Sequence, residues 1–251
     1  MGLYASDHPD VPGMKGLHLF HYVMSNCSQR VRLALEEKGL EWTSHHVDLP
    51  ANEHVTPDYQ RINPNGVVPT LVHDGQVVIE SNDILEYLDE HFPEPPLRPA
   101  DPEERAACQT LVEASSAFQS SIKVLSHDRL FRPFRKLGES ELELYDREHN
   151  DPKLAAFMHD YMENGEAWRR RVEAAEADLT RVLDLLEDRL VERPWLSGDD
   201  YGLADVSWVV NANRLIQTRV ELEGWPKLAA WAEKAMARPA FERAVVAWRP
   251  S

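Results

Sequence analysis

The chain has 251 residues with 27 basic and 43 acidic side chains, which gives a formal charge of −16. This length suits one large domain or two modest ones, each able to bury a core. The acidic surplus argues against nucleic acids and anionic membrane surfaces as partners, and no apolar run approaches the roughly 18 residues of a membrane span, so small molecules are the expected ligands.

Residues 1–15 are predicted to form a loosely ordered tail, because few of them are apolar. They also lack the apolar segment of a secretory signal. Two cysteines follow, Cys27 and Cys108, which are too few for a disulfide framework and suit a reducing compartment. A cytoplasmic location is therefore expected.

The first domain, predicted at residues 16–97, begins with an alternating strand from Leu17 to His21. A helix is predicted from Cys27 to Lys38, where apolar residues recur at three-four spacing. An extended segment at 42–49 then leads into the polar stretch 50–65, which is predicted to be a loop because of its prolines.

A β-hairpin is the clearest local prediction. Thr70 to His73 and Gln76 to Ile79 are rich in strand-forming residues, and Asp74-Gly75 between them suits a type I′ turn. The hairpin is expected to complete the sheet of the first domain.

The next helix is predicted to be capped by Ser81 or Asn82 and to be followed by a proline-rich segment that ends the first domain. Residues 98–104 are predicted to form a linker. Residues 105–251 are predicted to be helical, with a highly charged insertion at 132–150. The order of elements therefore predicts a small mixed sheet followed by a helical bundle.

The segment that enters the first helix holds three candidate catalytic side chains, Ser25, Cys27 and Ser28. Unpaired N–H groups and the helix dipole stabilise a thiolate at this end of a helix, and a serine hydroxyl can donate to it. Lowering a thiol pKa from about 8.5 by about two units requires about 2.7 kcal/mol, which two hydrogen bonds to a charged sulfur supply. Ordinary helix caps and an inert cysteine are the alternative interpretation.

Two later segments add to this pattern. Pro69 directly precedes a strand, where a cis bond would turn the chain and expose the Val68 backbone, although trans is the ordinary state. Glu80 and Ser81 begin a helix, where hydroxyl and N–H groups either hold a carboxylate or only cap the helix.

In this order, the segments resemble the glutathione transferase superfamily, and the similarity extends over residues 17–248. The run 25–32 resembles the zeta-class signature, 63–71 the stretch with the family's cis proline, and Glu80-Ser81 the pair that binds the γ-glutamyl end of glutathione. The resemblance implies an α/β plus all-α architecture, with an N-terminal thioredoxin-like domain built on a mixed four-stranded sheet and a C-terminal helical bundle domain.

The resemblance also implies roles for the candidate catalytic residues. Ser25 lies at the thiolate-activating serine of theta-, tau- and zeta-like members. Cys27 matches the cysteine of zeta enzymes and of bacterial reductive dehalogenases that act on chlorinated hydroquinones, and Ser28 matches the serine of bacterial β-etherases. The preferred assignment is Ser25 as hydrogen-bond donor and Cys27 as an auxiliary redox thiol.

For the rest of the tripeptide site, the resemblance implies a backbone contact from Val68, beside Pro69, to the cysteinyl part. Glu80 and Ser81 would bind the γ-glutamyl end. His54 lies where many members contact the glycyl carboxylate, or it is a solvated loop histidine. Glutathione is thus the expected co-substrate, and no metal is expected.

The second-substrate pocket is expected between the turn before the first helix and the first long helix of the second domain. An ordinary core helix needs the same aromatic and aliphatic side chains. The predicted lining residues are Tyr22, Met24, Phe118, Ile122 and Leu125. A nearby basic cluster, which either steers an anionic substrate or forms a solvated loop, comprises Arg129, Arg132, Arg135 and Lys136.

A later motif around Asp205 resembles the family's structural capping motif. Gly202 stands where that motif has serine or threonine, so the side-chain half of the capping box is missing. Asp205 can still accept from the Gly202 N–H, and we assign it to folding rather than catalysis.

These residues together predict a glutathione S-transferase that directs the glutathione thiolate at an apolar, aromatic electrophile by displacement or β-aryl ether cleavage. Three alternatives remain open. They are reductive dehalogenase or thiol-disulfide chemistry through Cys27, a zeta-like isomerase, and a non-catalytic binding module. A homodimer is expected by resemblance.

Overall fold

The computed structural model describes residues 2–249 and contains one five-stranded sheet in the order β1-β5-β4-β2-β3. Strands β2 and β3 are parallel, and the other neighbouring pairs are antiparallel. The strands are β1 (Leu3–Tyr4), β2 (Leu17–His21), β3 (Thr43–His46), β4 (Thr70–His73) and β5 (Gln76–Val78). The predicted mixed sheet is confirmed, with one more strand than expected.

The extra strand lies in the segment predicted to be a loose tail, and that prediction is wrong. Leu3 pairs with Val78 at the sheet edge, and Val11 is only 2% exposed. The hydroxyl of Ser6 also donates to the carbonyl of Arg61 at 2.7 Å. The segment is ordered because it completes an edge of the sheet and covers apolar side chains beside it.

Three helices belong to the first domain: α1 (Asn26–Glu37), α2 (Pro57–Ile62) and α3 (Ser81–His91). Helix α2 lies inside the segment predicted to be a loop. It forms because Thr56 caps it, accepting from the Tyr59 N–H at 3.3 Å, and because Pro57 occupies the first turn, where a missing N–H costs nothing.

The predicted hairpin is confirmed. Asp74 and Gly75 have φ values of 49° and 84°, as a type I′ turn requires. The turn brings β4 beside β5, and β4 also pairs with β2, so the hairpin joins the two halves of the sheet.

The second domain is helical. Its helices are α4 (Pro102–Leu125), α5 (Glu139–Glu148), α6 (Pro152–Glu163), α7 (Glu166–Glu192), α8 (Leu203–Gln217), α9 (Pro226–Met236) and α10 (Pro239–Phe241), with π-helical turns at Ser126–Phe131 and Glu242–Val246. Helix α4 begins within the predicted linker, because Asp101 caps it through the N–H groups of Glu103 and Glu104. None of the helices within residues 2–249 is long and apolar enough to cross a membrane.

Asp205 makes the contact expected of a capping residue. Its carboxylate accepts from the Gly202 N–H at 3.0 Å and from the indole of Trp231 at 2.8 Å. The missing half of the capping box is supplied by Ser197, whose Oγ accepts from the Ala204 N–H at 3.1 Å. A Cβ at Gly202 would collide with the Leu97 carbonyl oxygen and would lie 2.8 Å from the Ser197 hydroxyl oxygen, so the glycine leaves room for the Leu97 backbone and for this external cap.

Candidate functional site

The turn that enters α1 brings the three predicted catalytic residues together. Ser25 is the N-cap, and its Oγ accepts from the Ser28 N–H at 3.2 Å. Among residues 2–249, no acceptor is found for the Ser25 hydroxyl proton, so that proton is available to a ligand. Cys27 is partly exposed in the first turn, whereas Ser28 is fully buried and its Oγ accepts from the Tyr22 N–H at 3.3 Å.

Three buried arginines hold this turn in place. Arg30 donates to Ser81 Oγ at 2.9 Å and to two groups of α8. Arg32 donates to the carbonyls of Tyr22 and Val23, and Arg214 donates to the carbonyl of Met24 at 2.5 Å. Both domains therefore fix the backbone ahead of α1.

These arginines also concentrate positive charge at the start of α1. No carboxylate lies within 4 Å of Arg30, Arg32 or Arg214 in the described part of the chain. Burial lowers the pKa of all three guanidinium groups, to about 9 for Arg32 and about 10 for Arg214. These two are therefore charged at neutral pH, and an arginine side chain generally keeps its proton in a protein. A Cys27 thiolate would counteract the effect of burial in Arg30 and Arg214, which places that sulfur within their field. Together with the helix N-terminus, the cluster favours an anion.

The other predicted glutathione segments lie beside this turn. The Val68-Pro69 bond is cis, as predicted. Over residues 2–249, neither the N–H nor the carbonyl of Val68 has a hydrogen-bond partner. Glu80 has a φ of 66°, a conformation that is uncommon outside glycine, and its carboxylate accepts from Asn65 at 3.0 Å. The predicted cap at Ser81 or Asn82 is wrong, because Glu80 is the N-cap of α3 and both of those residues lie inside the helix. The Ser81 hydroxyl, which is 8% exposed, instead accepts from the buried Arg30.

His54 lies closer to the second domain than either interpretation of the sequence anticipated. Its ring is 5% exposed, and its Nε2 lies 3.1 Å from the hydroxyl of Tyr145 in α5. Burial, followed by the nearby His149 and Arg135, lowers the pKa of His54 to about 3, so the ring is neutral. Its Nδ1 has no partner in residues 2–249, which leaves one ring nitrogen for a ligand.

The charged insertion (residues 132–150) packs against the first domain and is not a solvated loop. Gln60 donates to the carbonyl of Glu148 at 2.6 Å and accepts from the Asn150 N–H at 2.9 Å. His149 lies 3.2 Å from the Gly66 carbonyl, two residues before Val68. Through these contacts the insertion bridges the two domains beside the predicted tripeptide site.

The predicted second-substrate residues fall into two groups. Tyr22 and Met24 are partly exposed at the turn before α1. Phe118, Ile122 and Leu125 are 0%, 1% and 0% exposed, and they form the core stripe of α4. They are packed in the core, where Phe118 stacks on Trp208 of α8 with ring centroids 5.8 Å apart, and so they do not line an open pocket.

The opposite face of α4 is turned toward the first domain. Ser116 on that face accepts from Asn82 of α3 at 2.7 Å. Gln119, Lys123 and His127 follow at helical spacing on the same side. Ser116 and Lys123 are thus polar α4 residues with neighbours in the first domain, whereas the ring of His127 packs against Phe131, Phe157 and Tyr161 of the second domain.

The basic cluster predicted near the site is largely neutralised. Arg129 pairs with Glu176 at 2.5 Å, and Arg135 pairs with Glu141 at 3.3 Å. Arg132 lies 3.7 Å from the carboxylate of Asp128. The uncompensated positive charge lies instead on buried cations that the sequence interpretation overlooked. Arg30 and Arg32, which flank Val31 in the buried part of α1, were the available signal.

Two family models match the chain. The model described as the N-terminal domain of glutathione S-transferase matches residues 19–96, and the model described as its C-terminal domain matches residues 166–234. The charged insertion lies between the two matched segments.

Individual curated proteins and solved structures are also similar to this chain over most of its length. A tetrachloro-p-hydroquinone reductive dehalogenase of Sphingobium chlorophenolicum is 31% identical, with 93% of this chain and 97% of that protein covered. A maleylacetoacetate isomerase of Pseudomonas aeruginosa is 30% identical, with 93% and 98% covered. The crystal structure of the β-etherase LigF from Sphingobium sp. strain SYK-6 superposes with a TM-score of 0.82 at 28% identity, covering 91% of this chain and 98% of that one.

Proposed function

Because the chain belongs to the glutathione S-transferase family, we propose that it binds glutathione at the start of α1 and directs the thiolate at an aromatic electrophile. One observation carries this proposal. The buried Arg30 guanidinium, without a carboxylate partner in the described residues, joins the α1 turn to Ser81 at 2.9 Å. The two segments expected to hold the sulfur and the γ-glutamyl end are thereby fixed to each other.

The Ser25 hydroxyl and the first N–H groups of α1 are the proposed stabilisers of the sulfur anion. Ser25 already uses its oxygen as a cap acceptor, so its hydroxyl proton is free to be donated to a ligand. A pKa lowering of about two units costs about 2.7 kcal/mol. One hydrogen bond to a charged sulfur supplies about 1.5–3 kcal/mol, and the helix terminus adds about 0.3–1 kcal/mol. Ser28 is buried and serves the turn, so we do not place it at the sulfur.

The remaining tripeptide contacts follow from the free polar groups. We propose that the unpaired Val68 backbone, beside Pro69, binds the cysteinyl unit. Ser81 and the strained Glu80 would bind the γ-glutamyl end, and the neutral His54 would donate to the glycyl carboxylate. His54 then links the tripeptide to the charged insertion through Tyr145.

In the proposed reaction, the thiolate forms a C–S bond to the electrophilic carbon while a C–O or C–halogen bond breaks. The leaving aryl oxide or halide departs with the bonding electron pair, and an aryl oxide then takes a proton from solvent. The similarity to LigF, which is described as a β-etherase, supports ether cleavage as the first reaction to test.

Reductive chemistry through Cys27 is the second candidate, and the 31% identical reductive dehalogenase favours it. Here the Cys27 sulfur attacks the glutathionyl sulfur of an aryl conjugate, and the aryl carbon leaves with the electron pair and takes a proton. A second glutathione then releases Cys27 and forms glutathione disulfide. The partial exposure of Cys27 permits this attack.

The stoichiometry of glutathione separates the candidates. Purified protein is incubated with glutathione and, in turn, a β-aryl ether, a dinitrohalobenzene, a chlorinated hydroquinone and a maleyl substrate. A transferase consumes one glutathione for each conjugate, a reductive dehalogenase produces glutathione disulfide and a Cys27 adduct visible by mass spectrometry, and an isomerase consumes none. Calorimetric binding of glutathione without turnover of any substrate would instead favour a binding module.

We also propose a homodimer and a cytoplasmic location. Cys27 and Cys108 are both free thiols, which persist in reducing compartments. Sedimentation at two protein concentrations tests the dimer, and fractionation of cells that express the tagged chain tests the location.

A further inference from the structure

Lys123, near the end of α4, is a cation that makes no ion pair in residues 2–249. Its ammonium lies 4.2 Å from the centre of the Phe157 ring. In the part of the chain that the structure describes, no carboxylate lies within 4 Å of it and no hydrogen bond reaches it. Burial lowers the pKa of Lys123 to about 8, so the group is poorly solvated but mostly charged at neutral pH.

The position of Lys123 places this charge between the two domains. It lies on the α4 face that meets the first domain, one helical turn after Gln119, whose Oε1 is buried and also without a partner in residues 2–249. Its electrostatic neighbours come from three other elements: Cys27 at the start of α1, His54 beside the tripeptide site, and Asp151 at the start of α6. The ammonium therefore lies close to the groups proposed to hold glutathione.

The other charged groups that face Lys123 do not compete for a ligand. Arg135 is paired with Glu141, and Arg171 is paired with Asp160 at 2.6 Å. His127, one turn further along α4, is kept neutral by burial, which lowers its pKa to about 3. Lys123 is thus the cation of this group that makes no ion pair in residues 2–249, although the nearby carboxylate of Asp151 favours its charged form.

A purely structural role explains the site poorly. A methionine would cover the Phe157 ring without the cost of removing an ammonium from water, which exceeds the about 0.5–2 kcal/mol of a cation–π contact when no anion is present. An anion that enters with the substrate would offset the cost of removing the ammonium from water.

We propose that Lys123 binds an anionic oxygen substituent, a carboxylate or phenolate, on the aromatic second substrate. The inference rests on the proposed transferase function and specifies its substrate class. The reacting sulfur of glutathione lies at the start of α1, and Lys123 on α4 binds the acidic group of the second substrate. Electrophiles with such a group are expected to be preferred over neutral ones of the same shape.

The test compares two product analogues of matched shape, S-(4-carboxybenzyl)glutathione and S-(4-carbamoylbenzyl)glutathione, together with their meta isomers. Calorimetry at pH 7 gives the affinity ratio of acid to amide. We expect a ratio of about ten or more for at least one isomer, since a hydrogen bond to a charged group contributes about 1.5–3 kcal/mol. The ratio should fall as the pH rises above about 8, where Lys123 loses its proton.

Two variants assign the preference to Lys123. Lys123→Gln should abolish it and Lys123→Arg should keep it. Lys136→Met, which removes an exposed lysine of the charged insertion, controls for loss of net charge. A ratio near one for both isomers in the wild type, or a ratio that survives in Lys123→Gln, overturns the inference. If glutathione and all four conjugates fail to bind the folded wild type, the proposed function fails instead.

Discussion

The imidazole of His149 lies against the backbone of Gly66, with Nε2 3.2 Å from the glycine carbonyl. Gly66 has a φ of 54°, and a Cβ at this position would lie 2.6 Å from the same nitrogen. The charged insertion of the second domain therefore touches the first domain two residues before Val68, at a point where no side chain fits.

The contact predicts that Gly66→Ala is destabilising for two separable reasons. The left-handed backbone costs an alanine about 1–2 kcal/mol, and the new methyl group must also displace His149. Gly16→Ala is the matched control, because Gly16 has a φ of 74° and open space at its Cβ position. In urea unfolding, Gly66→Ala should lose more free energy of unfolding than Gly16→Ala.

The additional loss of free energy of unfolding in Gly66→Ala should disappear when His149→Ala is combined with it, because the new methyl group then has no imidazole to displace. The KM for glutathione should rise in Gly66→Ala, since Val68 follows directly. Equal destabilisation by the two glycine variants would show that His149 does not press on Gly66.

Ser25 is expected to stabilise the glutathione thiolate, whereas Ser28 is expected to stabilise the fold of the turn before α1. Ser25→Ala removes the proposed donor to sulfur and should raise the pKa of bound glutathione by about one to two units, the equivalent of about 1.5–3 kcal/mol. Ser28→Ala removes the acceptor for the Tyr22 N–H and should lower the free energy of unfolding by about 1 kcal/mol without moving that pKa. Ultraviolet titration of the bound thiolate and thermal unfolding measure the two effects.

Thr180→Ala is the control for Ser25→Ala and Ser28→Ala, since it removes an exposed hydroxyl of α7 that bonds only within its own helix. If Ser28→Ala shifts the thiol pKa and Ser25→Ala does not, the roles are reversed.

Arg30→Met is expected to weaken glutathione binding by about ten- to hundredfold, because a charge that acts at both ends of the site is lost. Arg170→Met is the matched control, as Arg170 is exposed on α7 and paired with Glu166. Calorimetry gives the affinities, and circular dichroism confirms that both variants are folded. An unchanged affinity in Arg30→Met would contradict the proposed role of this buried charge.

Local signals in the sequence account for much of the fold. Asp74-Gly75 specifies the hairpin by its backbone preferences alone, and the cap at Ser25 begins α1 within one residue of its predicted start. Strand β1 had no such signal, because two residues carry no periodicity and the pairing of Leu3 with Val78 spans most of the domain.

The sequence predicted the site residues in the turn that enters α1, but not those that α4 contributes. The apolar stripe of α4 indicates which side chains are buried, and Phe118 and Ile122 are indeed core residues. It does not indicate that the polar side, with Lys123, faces the other domain. Arg30 was equally hard to place, since its partners Ser207 and Asn211 follow about 180 residues later.

The last prediction concerns acid sensitivity and follows from His21 on β2. Arg32 can only donate, and its guanidinium lies 3.1 Å from His21 Nδ1, so Nδ1 must be the acceptor and Nε2 carries the proton toward Ser44 Oγ at 2.7 Å. A second proton would have to displace Arg32 in a fully buried position. Burial and Arg32 accordingly lower the pKa of His21 to about 3.

The direction in which stability changes with pH follows from comparing proton binding in the folded and unfolded states. The unfolded chain binds this proton below about pH 6.5 and the folded chain only near pH 3, so stability is complete above pH 6.5 and is lost as the pH falls. Between pH 7 and pH 5 the loss from His21 is about 2 kcal/mol. Urea unfolding across this range should show a shallower dependence in His21→Gln than in the wild type. His46→Gln, which replaces an exposed histidine of β3, controls for loss of a ring. Parallel curves for His21→Gln and the wild type would mean that His21 binds its proton equally well in the folded and unfolded chain, against this prediction.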